Sequence, residues 1–378
     1  MDRELVGRLM PLYGVSQAEA SATTAKQFFL AAADGGFAFH SVELTAPAAH
    51  CASWHSCLPR ALSRLGFSSA AALASASPSA ARCLPSLTAT LRDALNDCTA
   101  ELGDPAAQAP QRMLASAPLA AARDGLATDL ASNPKAQAAL RSAGGKGSAV
   151  WLQAPTEAAH GQSDAQLAIS ARVRLGLPIP GCSGPCAHRR ANGTVCGRAL
   201  DAYGVHARSC AAGGWLKNRH DDARDVLAEW CEQQGCRVER EVVLPHAAPG
   251  RPEARMDLVV HAPSRGEPEY IDVSIVSALS VEALTAGSAT QDGKAAAIAE
   301  ASKRRAYPNL RLTPFIVEDH GRLGDDAAGF IRRLAPSDPA ARSRAIRSLY
   351  QRLGALLQRR AADAVLSACG RRGHAGGE

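Results

Sequence analysis

Hydrophobic and polar positions alternate most regularly between Arg219 and Val317. Arg219-His220-Asp221 opens an amphipathic stretch in which Ala223, Val226, Leu227, Trp230 and Cys231 share one face, and Gly235 ends it. Three runs of strand length follow: Arg237 to Leu244, stopped by Pro245, then Met256 to His261 and Tyr270 to Val276. A helical pattern over Gly293 to Arg305 and a further strand over Leu312 to Val317 complete the series. Helix, three strands, helix, strand is the order of a small α/β core.

The flanks read as helical. Residues 1–150 carry repeated Ala-rich patterns, among them Leu91, Ala94, Leu95, Cys98 and Leu102 at helical spacing. Phe67 to Ala81 is so rich in Ala and Ser that it reads either as helix or as loosely ordered linker. Gly35-Gly36 predicts a turn, followed by a strand-like stretch and a helix ending near Trp54. Gly144 to Ser148 breaks the pattern and marks a boundary. Residues 151–181 form a connector whose helix runs from Ser163 to Leu175, capped by Ser163 or Asp164 and stopped by Pro178 and Pro180. Downstream, Asp325 to Leu334 predicts a short helix. Ala340 to Ala368 predicts a longer one, apolar at Ile346, Leu349, Tyr350, Leu353, Leu356 and Leu357, whose arginines either form a solvated face or track phosphates. The last residues, GRRGHAGGE, read as a disordered tail. The expected division is 1–150, 151–181, 182–215, 216–335 and 336–378, in an α+β chain.

Composition narrows this picture. Hydrophobic residues make up 46% of the 378 but aromatics only 4%, so the cores are built from small side chains. A net charge of +6 permits an anionic partner without demanding one. No apolar run is long enough for a membrane span, and MDRELVGRLM lacks the apolar segment of a signal peptide. Eleven cysteines in such a chain point to a reduced compartment, where clustered cysteines are metal ligands rather than disulfides. Cys51, Cys57, Cys83 and Cys98 stand apart from the cluster and read as plain buried thiols.

The cluster is Cys182, Cys186, Cys196, His206 and Cys210, with His188 as an extra donor. Zinc takes four such donors on tight turns. Cys196, His206 and Cys210 are the firmest; Cys182, Cys186 or both complete the set. No acid or base stands at helical spacing from these ligands, so the zinc reads as structural. Two acids then fall on predicted strands. Asp257 opens the run ending in Leu258-Val259-Val260, and Asp272 interrupts Ile271, Val273, Ile275 and Val276. An acid inside an apolar strand is costly unless it is paired or metal-bound. Fourteen residues lie between the two, enough for a hairpin that sets them side by side and lets a divalent ion relieve their repulsion.

This series resembles the C-terminal restriction-enzyme-like endonuclease of site-specific non-LTR retrotransposons. That family carries a Cys-Cys-His-Cys cluster, an Arg-His-Asp/Asn helix start, a (K/R)PD strand, a second acid and a downstream lysine. Here these are the cluster above, Arg219-His220-Asp221, Arg255-Met256-Asp257, Asp272 and Lys303, over Cys182 to about Leu334. Gly35-Gly36-Phe37-Ala38-Phe39 is similar to the segment leading into the thumb after the polymerase palm of the same elements. The polymerase YxDD motif is absent from the chain, so no polymerisation is expected. The resemblance implies a zinc knuckle followed by a PD-(D/E)xK-like core with a mixed sheet flanked by helices. It implies Asp257 and Asp272 as ligands of Mg²⁺ or Mn²⁺, and Lys303 (or Lys294) as the charge-stabilising lysine. It further implies Glu241 (or Glu239) as an accessory acid, Arg219 and His220 near the site, and Tyr307 beside the lysine. The implied activity is nicking of target DNA in the nucleus, with the element's RNA as a further partner. The alternative is a nucleic-acid-binding remnant without cleavage. Two positions depart from the pattern: Met256 replaces the proline, and Ser274 stands where the wider PD-(D/E)xK class has its lysine.

Overall fold

A computed structural model describes residues 2–19, 21–104, 107, 110–153, 161–244, 254–263 and 266–370. Pro245, Pro155 and the tail after Gly370 lie outside the described residues. The first part is helical: α1 (Asp2–Leu9), α2 (Ala22–Phe29), α3 (Val42–Leu65), α4 (Ala70–Ala76), α5 (Pro78–Leu95), α6 (Gln111–Leu114), α7 (Ser116–Asp129) and α8 (Pro134–Ala143). The connector carries α9 (Asp164–Leu175), and α10 (Val205–Ser209) lies inside the Cys/His segment. Then come α11 (Trp215–Gln233), β1 (Arg237–Val243), β2 (Arg255–His261), β3 (Glu269–Val276), α12 (Val281–Thr285), α13 (Lys294–Ala306), β4 (Leu312–Glu318), α14 (Asp325–Leu334) and α15 (Pro339–Ala368). Among the described residues no helix is long and apolar enough to cross a membrane.

Several sequence expectations change in the first part. The stretch after Gly35-Gly36 forms no strand. Its amides instead fold back on the end of α2, Phe37 donating to the Gln27 carbonyl at 3.3 Å, Phe39 to Phe28 at 3.1 Å and Ala38 to Leu30 at 2.9 Å, and buried Arg174 of α9 donates to the carbonyls of Ala32 and Gly36. The following helix does not stop near Trp54 but runs to Leu65 through Pro47 and Pro59, because Ala48, Cys51 and Leu58 are buried against Leu84, Leu87 and Leu91 of α5. From Ala70 the Ala/Ser-rich stretch to Ala81 is helical, split by the Ser77 N-cap. Of the four outlying cysteines only Cys51 is buried; Cys83 is partly exposed, and Cys57 and Cys98 stand on the surface of this helical part. The Leu91–Leu102 pattern is broken at Asn96, whose left-handed backbone caps α5. In α9 the Ser163 capping box starts the helix, and Gly176, rather than the prolines beyond it, ends it.

The Gly35-Gly36 turn admits no side chain. Gly35 has φ +92° and a Cβ there would stand 2.3 Å from the Leu140 carbonyl oxygen; at Gly36 it would meet the Leu30 carbonyl oxygen at 2.1 Å. Both obstacles are backbone, so Gly36→Ala is expected to cost about 1–3 kcal/mol, read as a lowered melting temperature with an unchanged helical spectrum. GGKGS is likewise packed rather than free. Gly147 lies so close to Tyr350 of α15 that a Cβ would stand 2.2 Å from its ring.

The sheet has the order β1-β2-β3-β4, with β1–β2 and β2–β3 antiparallel and β3–β4 parallel. The chain is therefore mixed α and β, as its sequence implied. Alternation along the strands gives two faces. Leu258, Val260, Ile271, Val273, Phe315 and Val317 form one core with α11, α14 and α15, centred on Trp230 and Phe330. Asp272 and Ser274 belong to the other face, where α13 packs. α11 begins at Trp215, four residues before the expected start, after the left-handed Gly214. α15 packs against α11 and α9 and ends beneath the Cys/His segment.

Candidate functional site

The Cys/His segment is built from two short turns. The isolated bridges Pro185↔Ala199 and Arg189↔Val195 close a hairpin, and Gly197, with φ +67°, donates its N–H to the Cys186 carbonyl at 3.0 Å. Asp201 accepts the backbone N–H groups of Tyr203, Val205 and His206, which starts α10 and orients His206. The donor atoms of Cys186, Cys196, His206 and Cys210 consequently all lie within 4.8 Å of one another. Three of the separations are 4.0 Å (Cys186–Cys210), 3.6 Å (Cys196–Cys210) and 3.6 Å (Cys196–His206 Nε2). A tetrahedral zinc with Zn–S bonds of about 2.3 Å sets sulfur–sulfur edges of about 3.8 Å. The four residues are thus already at coordination spacing and could bind a metal such as zinc. Burial pushes the Cys186 thiol up to about 11 and raises Cys210. Metal uptake must therefore release protons from these thiols.

Cys182, counted among the ligands on sequence grounds, is not in this group. Its thiol donates to the Asp201 carbonyl at 3.3 Å and packs in the apolar cluster that also takes in Cys369 at the end of α15. The chain turns at Gly181 and Gly184, which sends Cys182 inward and Cys186 toward the other donors. His188 is also excluded: its Nε2 bonds to the Ala364 carbonyl at 2.9 Å, so the ring serves to dock α15.

The acidic residues meet across the sheet. The pairs Arg240↔Leu258 and Val242↔Met256 place Glu241 across from Asp257, while Asp257 and Asp272 each lie one residue past the last β2–β3 pair, Leu258↔Ile271, where the Asp257 charge acts on Asp272. Glu241, Asp257 and Asp272 thus follow one another as a row of acids on the adjacent strands β1, β2 and β3. Past Leu258 the β2–β3 ladder stops, and the Asp257 carboxylate takes its place by accepting the Val273 N–H at 2.6 Å. Glu241 has φ +55°, a left-handed conformation rare for a non-glycine residue, so the backbone of β1 is strained at this row.

Each carboxylate of the row has a basic partner. His220, in the second turn of α11, sets Nε2 3.2 Å from Asp257 and 3.1 Å from the Val273 carbonyl, while Nδ1 faces Asp221 at 3.3 Å. The Asp257 carboxylate beside it raises His220 to about 9. Lys303 of α13 donates to Asp272 at 2.8 Å. Burial raises the Asp272 carboxyl, opposed by Lys303 and reinforced by the Asp257 charge. Arg224 of α11 pairs with Glu241. Lys294, the alternative lysine, starts α13 about two and a half turns away, about 14 Å along the axis, and it is Lys303 that reaches the acid. Glu239, the alternative acid, is engaged at the far end of β1 by Arg237 and His261. Tyr307 packs with Leu244, Ala254 and Leu310 beside the sheet. Ser274 is half-buried on the α13 face, and Met256 is fully buried. Among the described residues only the Cys/His set brings three or more His, Cys, Asp or Glu donors within 4.8 Å of one another; the carboxylate row does not.

Arg224 was missed on sequence grounds, although it lies one turn beyond His220 and so shares its face. A second omission is a buried ionic knot. Asp319, immediately after β4, accepts from Arg208 of α10 at 2.9 Å, from Ser277 at 2.9 Å and from His320 Nδ1 at 2.8 Å. Arg219 of the Arg-His-Asp triplet lies buried within electrostatic reach of Asp319 rather than facing the carboxylate row. The knot fastens the Cys/His segment to the strand ends.

The chain matches no family model and no curated protein.

Proposed function

We propose that the protein is a metal-dependent DNA endonuclease of the PD-(D/E)xK type, descended from a retroelement and carried on a zinc knuckle. The observation that supports this most is the cross-strand row of Glu241, Asp257 and Asp272 with Lys303 bonded to Asp272. A buried carboxylate held beside a second one is stable only with positive charge, and Lys303 supplies it here. Asp257 and Asp272 suit one Mg²⁺ or Mn²⁺, ions that keep several waters and need few protein ligands. When bound, such an ion would lower the pKa of a water and neutralise phosphate charge.

The chain's own residues then have separate tasks. His220, held at Nδ1 by Asp221, fixes the Asp257 carboxylate. Lys303 places an ammonium where negative charge grows on the scissile phosphate. Arg224 holds the Glu241 carboxylate in an ion pair. The product is a nick with a free 3′ hydroxyl, and the setting is the nucleus, on duplex DNA.

The test is nicking of supercoiled plasmid with Mg²⁺ or Mn²⁺. Asp272→Ala and Lys303→Met are each expected to slow nicking by about 100-fold or more, with melting curves showing that both variants fold. Nicking by Asp272→Ala at the wild-type rate would overturn the assignment and leave a nucleic-acid-binding protein without cleavage.

A further inference from the structure

Where α8, α9 and α10 meet the chain just past β4, the fold encloses a small cavity of about 60 Å³. Its lining takes in Lys135, Arg172, Arg208 and His320 and no acidic side chain. Much of the remaining wall is apolar, Val173 and Leu279 included. Arg208 is 4% exposed and His320 3%. Arg208 donates through Nη1 to Asp319 at 2.9 Å, and His320 through Nδ1 at 2.8 Å. Yet Arg208 Nε and His320 Nε2 are buried and have no partner among the described residues. Arg172 differs, because its guanidinium is committed to Glu19 and to the Gly14 and Pro178 carbonyls. The charges around the two orphaned nitrogens do not balance. Among the described residues Asp319 is the one carboxylate paired with Arg208 or His320. Buried Arg219, whose Nε is likewise unbonded, adds a second guanidinium within electrostatic reach of Asp319 and Arg208. Buried donors left unbonded are costly, and surplus buried charge more so. An anion in the cavity relieves both. The volume is several times the ~10–15 Å³ that one water needs, which gives room for roughly five heavy atoms. That is the size of a single tetrahedral oxyanion.

We infer that this cavity is a phosphate site, in which Arg208 Nε and His320 Nε2 donate to one dianionic phosphate, free or at the end of a nucleotide chain, and exposed Lys135 attracts it at the rim. Guanidinium and imidazolium groups recognise phosphate through charge-assisted hydrogen bonds. Because His320 gives its Nδ1 hydrogen to Asp319, Nε2 donates only from the imidazolium, and bound phosphate holds the ring in that form. Asp319 thus orients both donors without facing the ligand itself. The three basic groups come from three parts of the chain: Lys135 from α8, Arg208 from the knuckle helix α10, and His320 from the end of β4. Bound phosphate therefore ties the helical part and the knuckle to the sheet. No member of the carboxylate row lines the cavity.

The zinc-loaded full chain, at constant ionic strength in chloride and with no other divalent metal, is titrated with inorganic phosphate by calorimetry. The expected result is one saturable site per chain, and a melting temperature several degrees higher at saturation. His320→Asn keeps an amide near the Nδ1 position for Asp319 and removes Nε2; it should weaken phosphate binding about tenfold or more. Lys135→Glu, an exposed change that leaves the buried pair intact, should weaken it several-fold, most at low salt, in a chain folded as judged by its zinc content. A 5′-phosphorylated oligonucleotide that competes where its unphosphorylated twin does not assigns the phosphate to a nucleotide end; failure of both to compete assigns it to the free ion. No saturable phosphate binding would overturn the site and leave water on the two nitrogens. So would wild-type affinity in both variants, or an equal rise in melting temperature with added chloride alone. Binding is read without cleavage, so the outcome is separate from plasmid nicking and from the nuclease reading.

Discussion

Replacing Cys210 with serine, or stripping the metal with a strong chelator, is expected to unfold the segment from Cys182 to Gly214. The donors of Cys186, Cys196, His206 and Cys210 are at zinc spacing, and apart from its packing on α15 and the Arg208–Asp319 pair the segment has little regular structure of its own. It contains a single helix of five residues and two isolated bridges, too few backbone bonds to offset the entropy of ordering the chain. Structural zinc contributes about 10–16 kcal/mol in comparable small sites. Its loss therefore exceeds what local structure can supply. Metal analysis should give one zinc per chain for the wild type and none for Cys210→Ser. Cys182→Ser should retain the full zinc content, because its sulfur lies outside the donor group and donates to the Asp201 carbonyl instead. A wild-type chain without zinc, or a Cys182→Ser chain that loses it, would contradict the ligand set. Hydrogen exchange should show residues 182–214 opening in the apo chain while the sheet stays protected.

Asp319→Asn is expected to cost about 3–5 kcal/mol, the usual cost of breaking a buried ion pair. The substitution leaves Arg208 charged, buried and without its counter-ion, and Arg219 lies close by. Arg208→Met/Asp319→Leu removes both charges and should be much less damaging than either single change. A double-mutant cycle in urea would measure the coupling. The same site predicts an acid response. Burial by itself would raise the Asp319 carboxyl, but His320 and Arg208, with hydrogen bonds from His320 and Ser277, hold it well below the usual carboxylate range. The folded form thus binds the Asp319 proton more weakly than the unfolded chain, whose carboxyl titrates near about 3.9. The stabilisation is complete above that value and is lost as pH falls below it toward the folded pKa. Stability of the wild type should fall steeply in this acid window, and Asp319→Asn should flatten the slope. Equal slopes would show that Asp319 is not the titrating group.

How far the sequence led depends on the kind of interaction. Strands were legible because β-branched runs have a period of two, and the termini of β2, β3, β4 and α14 match the reading within a residue or so. Asp257 and Asp272 were legible as acids misplaced in apolar runs. Their alignment with Glu241 was not, since it depends on the β1–β2 register and on the left-handed Glu241, which no local pattern announces. Lys303 and Lys294 are equivalent in sequence. Only the docking of α13 on the Asp272 face makes one of them a partner.

The helical first part was read least well where packing overrules local preference. Two prolines inside α3 argue for breaks, yet burial against α5 carries the helix past both. The Gly35-Gly36 pair announced a turn, but not that Arg174, far along the chain, would take up its carbonyls. Composition and spacing by themselves determined an α+β chain with small-residue cores, the order of helices and strands from α11 to β4, and a Cys/His segment of metal-binding character. Only the tertiary structure decided which cysteine is spare, which lysine meets Asp272, and that Arg208 and Asp319 join the knuckle to the sheet. Each of those depends on a contact between residues distant in sequence, and such contacts are set by how elements pack rather than by any periodicity along the chain.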